Sequence, residues 1–548
     1  MARSRPQSTH RRRNVRAGPE TIGRSTVRRE RRSIDPMPAL SRGRPAGRLG
    51  RVGHLGRLAV ATALIVIGIV PVVAASSTLA PSSPVAPTSV PLAIATPSAT
   101  PRSTQTPRPT STPALSRAPQ IMSDDAEDRG IVTGTPQGLS AGSVNATSMK
   151  LSAEYDVKLS LNFGTRAFKA DTTIHVRNDS GTPIDRLELN TIAARLGGMK
   201  LTTTTSAGKA VTAKVDDQTI MLPLGGVLGP GKSVDVRVAY SAILRSSLTG
   251  SNWLFTRTNG IVDAHRWIPW VSKRVPFDRP NHGDPFVTPV SPRVRVAITG
   301  DRPMAYASTG EPIARSGLTT TIEATNVRDF AFSAAPDYKS ISSKVGDVTV
   351  RVYYRAGFPA SSVLAQAKHA ISSMEPLVGQ YPYPVYDLAQ TAGGYGMESP
   401  GMTWIPTGVA SSNLAYLVHH ETGHQWFYGI VGSDQAYEPF TDEALTDFLA
   451  RYVLGQRRAA RCSTARLDLS IYAYSTSCYY EIVYIQGGNF IDDLRKTMGT
   501  TAFWNGIRAY IDASRWSIAP TKRLLQTLDD HTSKDLVPRY EPRFPRLY

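Results

Sequence analysis

The hydrophobic and polar positions of the chain follow two different periods. Between Lys150 and about residue 340, apolar and polar residues alternate in short runs that end at turn signals, which predicts β-strands. These runs include AEYDVKLSLNF, KSVDVRVAYSAIL and PRVRVAITG, and no internal repeat of fixed period connects them. We therefore expect an antiparallel β-sandwich or β-saddle in this part of the chain.

The second period is helical and dominates the rest of the chain. Apolar residues recur every three or four positions in the segment 361–381, which ends before Pro382. Further helices are predicted at 414–427, 442–454, 479–498, 503–514 and 521–530. The sequence thus predicts an α+β fold with a β-domain over 149–340 and a mainly α-helical domain over 341–548.

The N-terminal residues carry a different signal. Residues 1–57 hold 16 arginines against three acids, which accounts for most of the net charge of +20. The next 18 residues, 58–75, are apolar and uncharged, a length that just spans the hydrocarbon core of a bilayer. Because the arginines lie on the N-terminal side, we expect a disordered cytoplasmic tail, a single-pass transmembrane anchor in the cell membrane and an extracytoplasmic body. The alternative is a signal peptide cleaved near Ala75, which would release the body.

A linker separates this anchor from the folded part. Within 76–120, 27 of 45 positions are Ser, Thr or Pro, and the polar composition continues to about residue 148. Such a composition buries too little apolar surface to fold, so that 76–148 is predicted to be a disordered linker. Since the basic charge is concentrated in the tail, we expect no nucleic-acid partner. The two cysteines, Cys462 and Cys478, can form one disulfide bond on the exported side, with unpaired buried thiols as the alternative.

The chemistry is concentrated in the segment LVHHETGHQWFYG. His420 and His424 lie four residues apart and so share one face of a helix, where two imidazoles can bind one ion. Zinc takes nitrogen and oxygen ligands and keeps one position for water, from which Glu421 can remove a proton. Glu443, which is separated from His424 by 18 intervening residues, supplies the third ligand from a second predicted helix. Gly423 is unfavourable in a helix by about 1 kcal/mol, which indicates that another group needs the space beside it.

Together with YGMESPG at 395–401 and QYPYPVYD at 380–387, this motif and its spacing resemble the M1 family of zinc aminopeptidases. The resemblance covers 150–548. It implies a β-saddle domain followed by a thermolysin-like catalytic domain, one Zn²⁺ per chain and peptide substrates. It also implies that His420, His424 and Glu443 bind the zinc and that Glu421 is the general base.

The resemblance further implies how a substrate is held. Gly396, Met397 and Glu398 would lie along the peptide, and Glu398 would bind its free α-amino group. Tyr484, which precedes the Gly-Gly step in VYIQGGNF, would stabilise the oxyanion. The nearby tyrosines are interpreted as packing or exposed residues, because none precedes that step; they are Tyr472, Tyr474, Tyr479 and Tyr480.

Three departures from the family pattern affect these expectations. Ser399 stands where the family has Asn, and Ile485 and Gln486 replace a Glu-Lys pair. The chain also ends about 105 residues after Glu443, so that it resembles a short form without the C-terminal helical domain of larger members. We expect a more open cleft in such a form, which would weaken the restriction to free N-termini.

Two further polar residues have open roles. Asp447 follows Glu443 by one helical turn, so it either orients a ligand imidazole or is a solvated acid. His419 points about 100° away from His420 on a helix and is expected to flank the metal rather than bind it.

Three functions are compatible with these features. The first is a membrane-anchored extracytoplasmic zinc aminopeptidase, the second a zinc endopeptidase or other zinc hydrolase on the same scaffold, and the third a non-catalytic surface binding protein. The complete set of ligands beside Glu421 argues against the third, since a binding module has no need of a general base. The preferred N-terminal residue and the oligomeric state stay open.

Overall fold

The structure is a computed structural model and describes residues 138–548. The predicted tail at 1–57, the predicted anchor at 58–75 and most of the predicted linker lie outside the described residues. None of the helices within 138–548 combines the length and the apolar composition needed to cross a bilayer.

The strands fall into two groups along the chain. The first group comprises β1 (Leu139–Ser140), β2 (Leu151–Leu161), β3 (Ala167–Asn178), β4 (Ile184–Asn190), β5 (Lys200–Ser206), β6 (Lys209–Ala210), β7 (Lys214–Asp216), β8 (Thr219–Leu228), β9 (Ser233–Ile243), β10 (Phe255–Thr258), β11 (Ile261–Ala264), β12 (Trp270–Val271), β13 (Ser291–Gly300), β14 (Ala305–Ser308), β15 (Glu311–Ser316), β16 (Thr319–Val327) and β17 (Phe332–Ala335). The second comprises β18 (Lys339–Val345), β19 (Val348–Tyr354), β20 (Val385–Thr391), β21 (Met397–Ser399) and β22 (Met402–Pro406).

Helix α1 (Ile192–Leu196) lies between β4 and β5, and the other α-helices follow β19. These are α2 (Ala360–Val378), α3 (Ser411–His424), α4 (Phe440–Val453), α5 (Gly487–Met498), α6 (Thr500–Ser514), α7 (Thr521–Asp530) and α8 (Val537–Tyr540). A 3₁₀ turn spans Asn252–Leu254, and π-helical turns span Gln425–Ile430 and Glu481–Gln486. The β-rich first part and the helical second part confirm the predicted fold class at this level.

The first group of strands forms three sheets within the described residues. An eight-stranded sheet has the order β15-β16-β13-β2-β3-β9-β5-β6, a five-stranded one joins β1, β8, β4, β12 and β7, and a four-stranded one has the order β10-β11-β17-β14. Alternate residues of β2 are buried, as its sequence pattern predicts. The strands pair antiparallel except β2 and β13, which run parallel. Alternation predicts which face is buried but not strand direction, so this pairing was not predicted.

The first part extends beyond the predicted boundaries. Residues 138–148, which are predicted to belong to the linker, include β1, which pairs with β8. The carboxylate of Asp185 also accepts hydrogen bonds from the backbone N–H groups of residues 144–146. The pairing of β1 with β8 and the bonds to Asp185 hold this segment, and neither contact is visible as a hydrophobic alternation in its sequence.

The second part is built on a mixed sheet with the order β18-β19-β20-β22-β21. Strand β21 lies at its edge, and both β21 and β22 lie against α3. Helix α3 packs on α4, and α4 packs on α5. The predicted helix 479–498 is helical over its whole length and contains a π-helical turn before α5, and α7 has the predicted bounds. Cys462 and Cys478 form a disulfide bond, with Cα atoms 5.8 Å apart.

Candidate metal centre and active site

Helices α3 and α4 bring the three predicted ligands together. The Nε2 atoms of His420 and His424 lie 3.2 Å apart, and Glu443 Oε2 lies 3.4 Å and 3.5 Å from them. All three side chains are buried. Ligands about 2.1 Å from a tetrahedral zinc ion are separated by about 3.4 Å from one another. The donor set therefore has the chemistry and the spacing of a zinc site.

The close contact between α3 and α4 depends on Gly423. A Cβ atom at Gly423 would lie 3.0 Å from Cγ2 of Thr446, tighter than ordinary van der Waals contact. This confirms the expectation that another group needs the space beside the glycine. A methyl group at this position would require Thr446 on α4 to shift by a few tenths of an ångström.

A second carboxylate on α4 fixes the orientation of His424, one of the predicted ligands. Nδ1 of His424 donates a hydrogen bond of 2.7 Å to Oδ1 of Asp442, which leaves Nε2 directed at the other two ligands. Burial disfavours a charged imidazole, but the carboxylates of Asp442 and Glu398 raise the pKa of His424 well above its ordinary value. Asp442 was not among the predicted site residues, although an acid directly before a metal ligand was a usable signal.

Asp447 has neither of the roles that were considered for it. It is buried, accepts a hydrogen bond of 2.9 Å from Nε of Arg451 and another of 2.5 Å from the hydroxyl of Tyr416. His419 lies outside the ligand set, as expected, and its Nε2 is 2.8 Å from Nδ1 of His369. The contact between Asp447 and Arg451 is thus an ion pair within α4, which supports this helix.

Glu421 lies beside the ligands, close to the edge strand β21. Burial raises its pKa to about 8; His424 opposes this shift and Glu443 adds to it. A Cβ atom at Gly396 would lie 2.1 Å from Oε1 of Glu421, so only glycine lets the strand approach this carboxylate. Glu398, Glu421 and His424 each offer one atom within 4.8 Å of the others. The predicted base and the predicted amine anchor therefore belong to one cluster.

Strand β21 carries the other predicted substrate residues. Met397 and Glu398 are both buried, and β21 pairs antiparallel with β22. Nε2 of Gln425 donates a hydrogen bond of 3.0 Å to the carbonyl oxygen of Ser399, and Oε1 of Gln425 accepts from the N–H of Gly401. The residue after His424 therefore anchors the strand that carries Glu398.

Tyr484 lies next to His420, the first of the three predicted metal ligands. Its ring stacks on the imidazole of His420, with centroids 5.4 Å apart and planes inclined by 22°. Burial raises the pKa of Tyr484 well above its ordinary value, and the nearby carboxylate of Glu443 adds to this. The two glycines after the π-helical turn at 481–486 let the start of α5 lie close to α4, because Cβ atoms at Gly487 and Gly488 would each lie 2.7 Å from a side-chain atom of α4.

The rival tyrosines differ in how their hydroxyl groups are used. Tyr472 donates to the carbonyl oxygen of Pro276, Tyr474 to that of Arg466, and Tyr480 to the hydroxyl of Tyr416. The buried hydroxyl of Tyr479 has no hydrogen-bond partner in the part of the chain that the structure describes. Its ring lies 5.9 Å from that of Tyr484, which makes Tyr479 the remaining rival.

Two curated proteins are similar to this chain, although no protein-family model matches it. Both come from Saccharomyces cerevisiae: mitochondrial aminopeptidase 2, 22% identical over 435 residues, and alanine/arginine aminopeptidase, 21% identical over 444 residues. Each alignment covers 70% of this chain but 44% and 50% of the relatives, so the chain spans about half their length.

Solved structures of an M1 zinc metallopeptidase from Deinococcus radiodurans are also similar. One of its variants superposes with a TM-score of 0.58 at 18% identity, covering 71% of this chain and 93% of that chain. The same variant bound to the substrate Tyr-Ser-Ala gives 0.57 at 18% identity, with 72% and 94% covered. The described chain therefore has the fold of the M1 zinc metallopeptidases, which supports the resemblance inferred from its motifs.

Proposed function

We propose that this chain is a zinc aminopeptidase of the M1 type, which hydrolyses N-terminal residues from peptides. One observation carries the proposal: His420, His424 and Glu443 meet at the spacing of a tetrahedral zinc site. The similarity to two yeast aminopeptidases supports the activity, and the peptide-bound M1 neighbour supports peptide substrates.

His420, His424 and Glu443 would hold one zinc ion, with Asp442 orienting the imidazole of His424. A bound zinc ion supplies a Lewis acid that polarises a carbonyl group and lowers the pKa of water. Glu421 then has a defined task, since its carboxylate lies beside the ligands without being one of the three. It takes a proton from the attacking water and returns it to the leaving amine.

Glu398 and Tyr484 would act on the substrate itself. A peptide's α-ammonium group entering a buried site needs a counter-charge, and the carboxylate of Glu398 supplies it. Its place near Glu421 sets the distance between the free N-terminus and the bond that is cut. The phenol of Tyr484 would donate to the oxyanion, a contact typically worth about 3–4 kcal/mol in the transition state. Gly396 and Met397 would line the path of the peptide.

We also propose that the catalytic part is exported and anchored by residues 58–75. The arginines on one side of this apolar segment set the orientation. The disulfide bond between Cys462 and Cys478 is typical of an oxidising compartment and supports export independently. Protease added to intact cells should release a fragment that begins within 76–148. A mature protein that begins at Ser76 in the medium would instead favour the cleaved signal peptide.

The test of the activity compares a peptide with its N-acetylated twin. Acetylation removes the positive charge that Glu398 is proposed to bind and should nearly abolish cleavage. Glu398→Ala should remove most of that preference, whereas Glu541→Gln, an exposed control, should leave it unchanged. Equal cleavage of both peptides by the unmodified enzyme would contradict the aminopeptidase and favour the zinc endopeptidase.

A further inference from the structure

Gln435 lies between the proposed amine anchor and the carboxylate behind the metal ligands. Its Nε2 atom donates hydrogen bonds of 2.9 Å to Oε1 of Glu398 and 2.6 Å to Oδ2 of Asp442. Asp442 in turn accepts from His424 through its other oxygen. Gln435 is 3% exposed and lies in the loop between the π-helical turn at 425–430 and α4. The side chain of Gln435 therefore connects Glu398 on β21 with Asp442 on α4.

The orientation of this amide is determined by its surroundings. Oε1 of Gln435 accepts a hydrogen bond of 3.0 Å from Nη2 of Arg266. A guanidinium group only donates and an ionised carboxylate only accepts, so the amide satisfies all three neighbours in one orientation only. Its oxygen faces Arg266, and its nitrogen faces Glu398 and Asp442.

Arg266 is itself held rigidly by the β-rich part of the chain. Its Nη1 donates 3.0 Å to the hydroxyl of Thr288, its Nε donates 3.1 Å to Nε2 of His265, and its guanidinium lies 4.2 Å from the ring centre of Phe286. It is 6% exposed and has a φ of 41°, in the left-handed region that a non-glycine residue rarely adopts. Arg266 thus has a strained backbone conformation at the position from which its side chain contacts Gln435.

A neutral donor between two buried carboxylates has a definite effect. Glu398 and Asp442 repel each other in the buried site, and the shared NH₂ group offsets part of that repulsion while keeping them apart. Because one oxygen of Glu398 is held, the direction of the other oxygen is fixed as well. An ammonium group that binds Glu398 then meets a carboxylate that is already in position.

We propose that Gln435, with its amide oriented by Arg266, is a positioning residue for recognition of the substrate's free amino group. It acts through Glu398 and couples this anchor to the carboxylate that orients His424. This inference rests on the proposed aminopeptidase function and adds the residues that make its amine site rigid.

The test replaces Gln435 by methionine, which keeps the length of the side chain and removes its hydrogen bonds. We expect KM for a peptide with a free N-terminus to rise about tenfold or more, with kcat changed about twofold at most. Cleavage of the N-acetylated twin should not change, so that the preference for the free amine falls. Calorimetry with zinc-loaded protein should show about tenfold weaker binding of L-leucine and no change for N-acetyl-L-leucine.

The matched control is Gln390→Met. Gln390 is also buried, but its amide bonds to Thr407 and to the backbone N–H of Arg355, neither of which is a proposed site residue. Gln390→Met should keep the preference of the unmodified enzyme. Gln435→Glu keeps the acceptor for Arg266 but faces Glu398 with a like charge, and should lose more of the preference than Gln435→Met. It also serves as the test if Gln435→Met does not fold.

Three outcomes would contradict either the inference or the proposed function. If the unmodified enzyme prefers the free amine and both Gln435 variants keep that preference, the inference is overturned and the proposed function stands. The inference is overturned in the same way if the variants lose zinc and slow both peptides equally, because Gln435 would then act through Asp442 alone. If the unmodified enzyme cleaves both peptides equally, the proposed function fails first.

Discussion

Two histidine–carboxylate clusters in the molecule use the same side chains in opposite settings. On the eight-stranded sheet, His175 lies 3.1 Å from Asp156 and 2.9 Å from Asp235, and these side chains are about 40% exposed. Arg293 bonds to Asp156 as well, at 3.0 Å. In the second part, His424 lies 2.7 Å from Asp442, and both side chains are at most 2% exposed.

The difference between the clusters lies in what balances the negative charge. In the surface cluster, Arg293 and solvent balance the charge of the carboxylates. Within the described residues, its side chains are not among the groups that could hold a metal ion. In the buried cluster Glu398, Glu421 and Glu443 lie close to His424, and the guanidinium of Arg266 reaches Glu398 through Gln435. A buried excess of carboxylates beside two imidazoles calls for a divalent cation, whereas the exposed arrangement does not.

The largest expected effect is the loss of metal when a ligand is removed from the buried cluster. Glu443→Ala, or His420→Ala with His424→Ala, should reduce zinc from about one ion per chain to nearly none and turnover to background. His175→Ala, the matched change in the surface cluster, should leave the zinc content unchanged. Elemental analysis of the purified protein checks both. Full zinc in the double histidine variant would mean that the ion is bound elsewhere.

The next effect separates the proposed base from the ligands. Glu421→Gln keeps the shape of the side chain but cannot accept a proton, so kcat should fall by about 10³-fold or more while zinc stays at one per chain. Steady-state kinetics and metal analysis on the same preparation measure this. A Glu421→Gln protein without zinc would show that Glu421 is a ligand instead.

A smaller effect is expected at the phenol beside His420. Tyr484→Phe removes a donor to the oxyanion and should lower kcat by about 10²-fold with little change in KM. Tyr479→Phe is the matched control, because its ring lies next to Tyr484 and its hydroxyl is also buried. If Tyr479→Phe has the larger effect on kcat, the roles of the two tyrosines must be exchanged.

The same comparison explains how far the sequence could predict the site. His420, Glu421 and His424 share one helix, where periodicity alone places side chains on a face, and Gly423 signalled the approach of α4.

Gln435 and Arg266 were not predicted, since they are 169 residues apart and meet only through the tertiary fold. The role of Asp447 differs from both expectations, although Arg451 lies four residues later on the same helix, a spacing that does signal an ion pair. Alternation likewise predicted the strands but not the parallel pairing of β2 and β13.

The smallest expected effect belongs to the surface cluster and concerns stability rather than activity. The hydrogen bond to Asp156, aided by Asp235 and opposed by burial, raises the pKa of His175 to about 9. In the unfolded chain a histidine has a pKa of about 6.5. The stabilisation is therefore fully present below about pH 6.5 and is lost as the pH rises through about 9. Because the side chain of His175 is 38% exposed, solvent screening limits it to about 1 kcal/mol.

His175→Gln tests this prediction by urea unfolding at pH 6 and pH 9.5. We expect the variant to be less stable than the unmodified protein by about 1 kcal/mol at pH 6 and by little at pH 9.5. His531→Gln is the control, because His531 bonds to the backbone carbonyl of Thr527 rather than to a carboxylate. A constant difference for His175→Gln would mean that the surface cluster contributes packing and not charge. The two clusters would then differ only in burial. Charge balance would no longer explain why the buried cluster offers a metal site and the surface cluster does not.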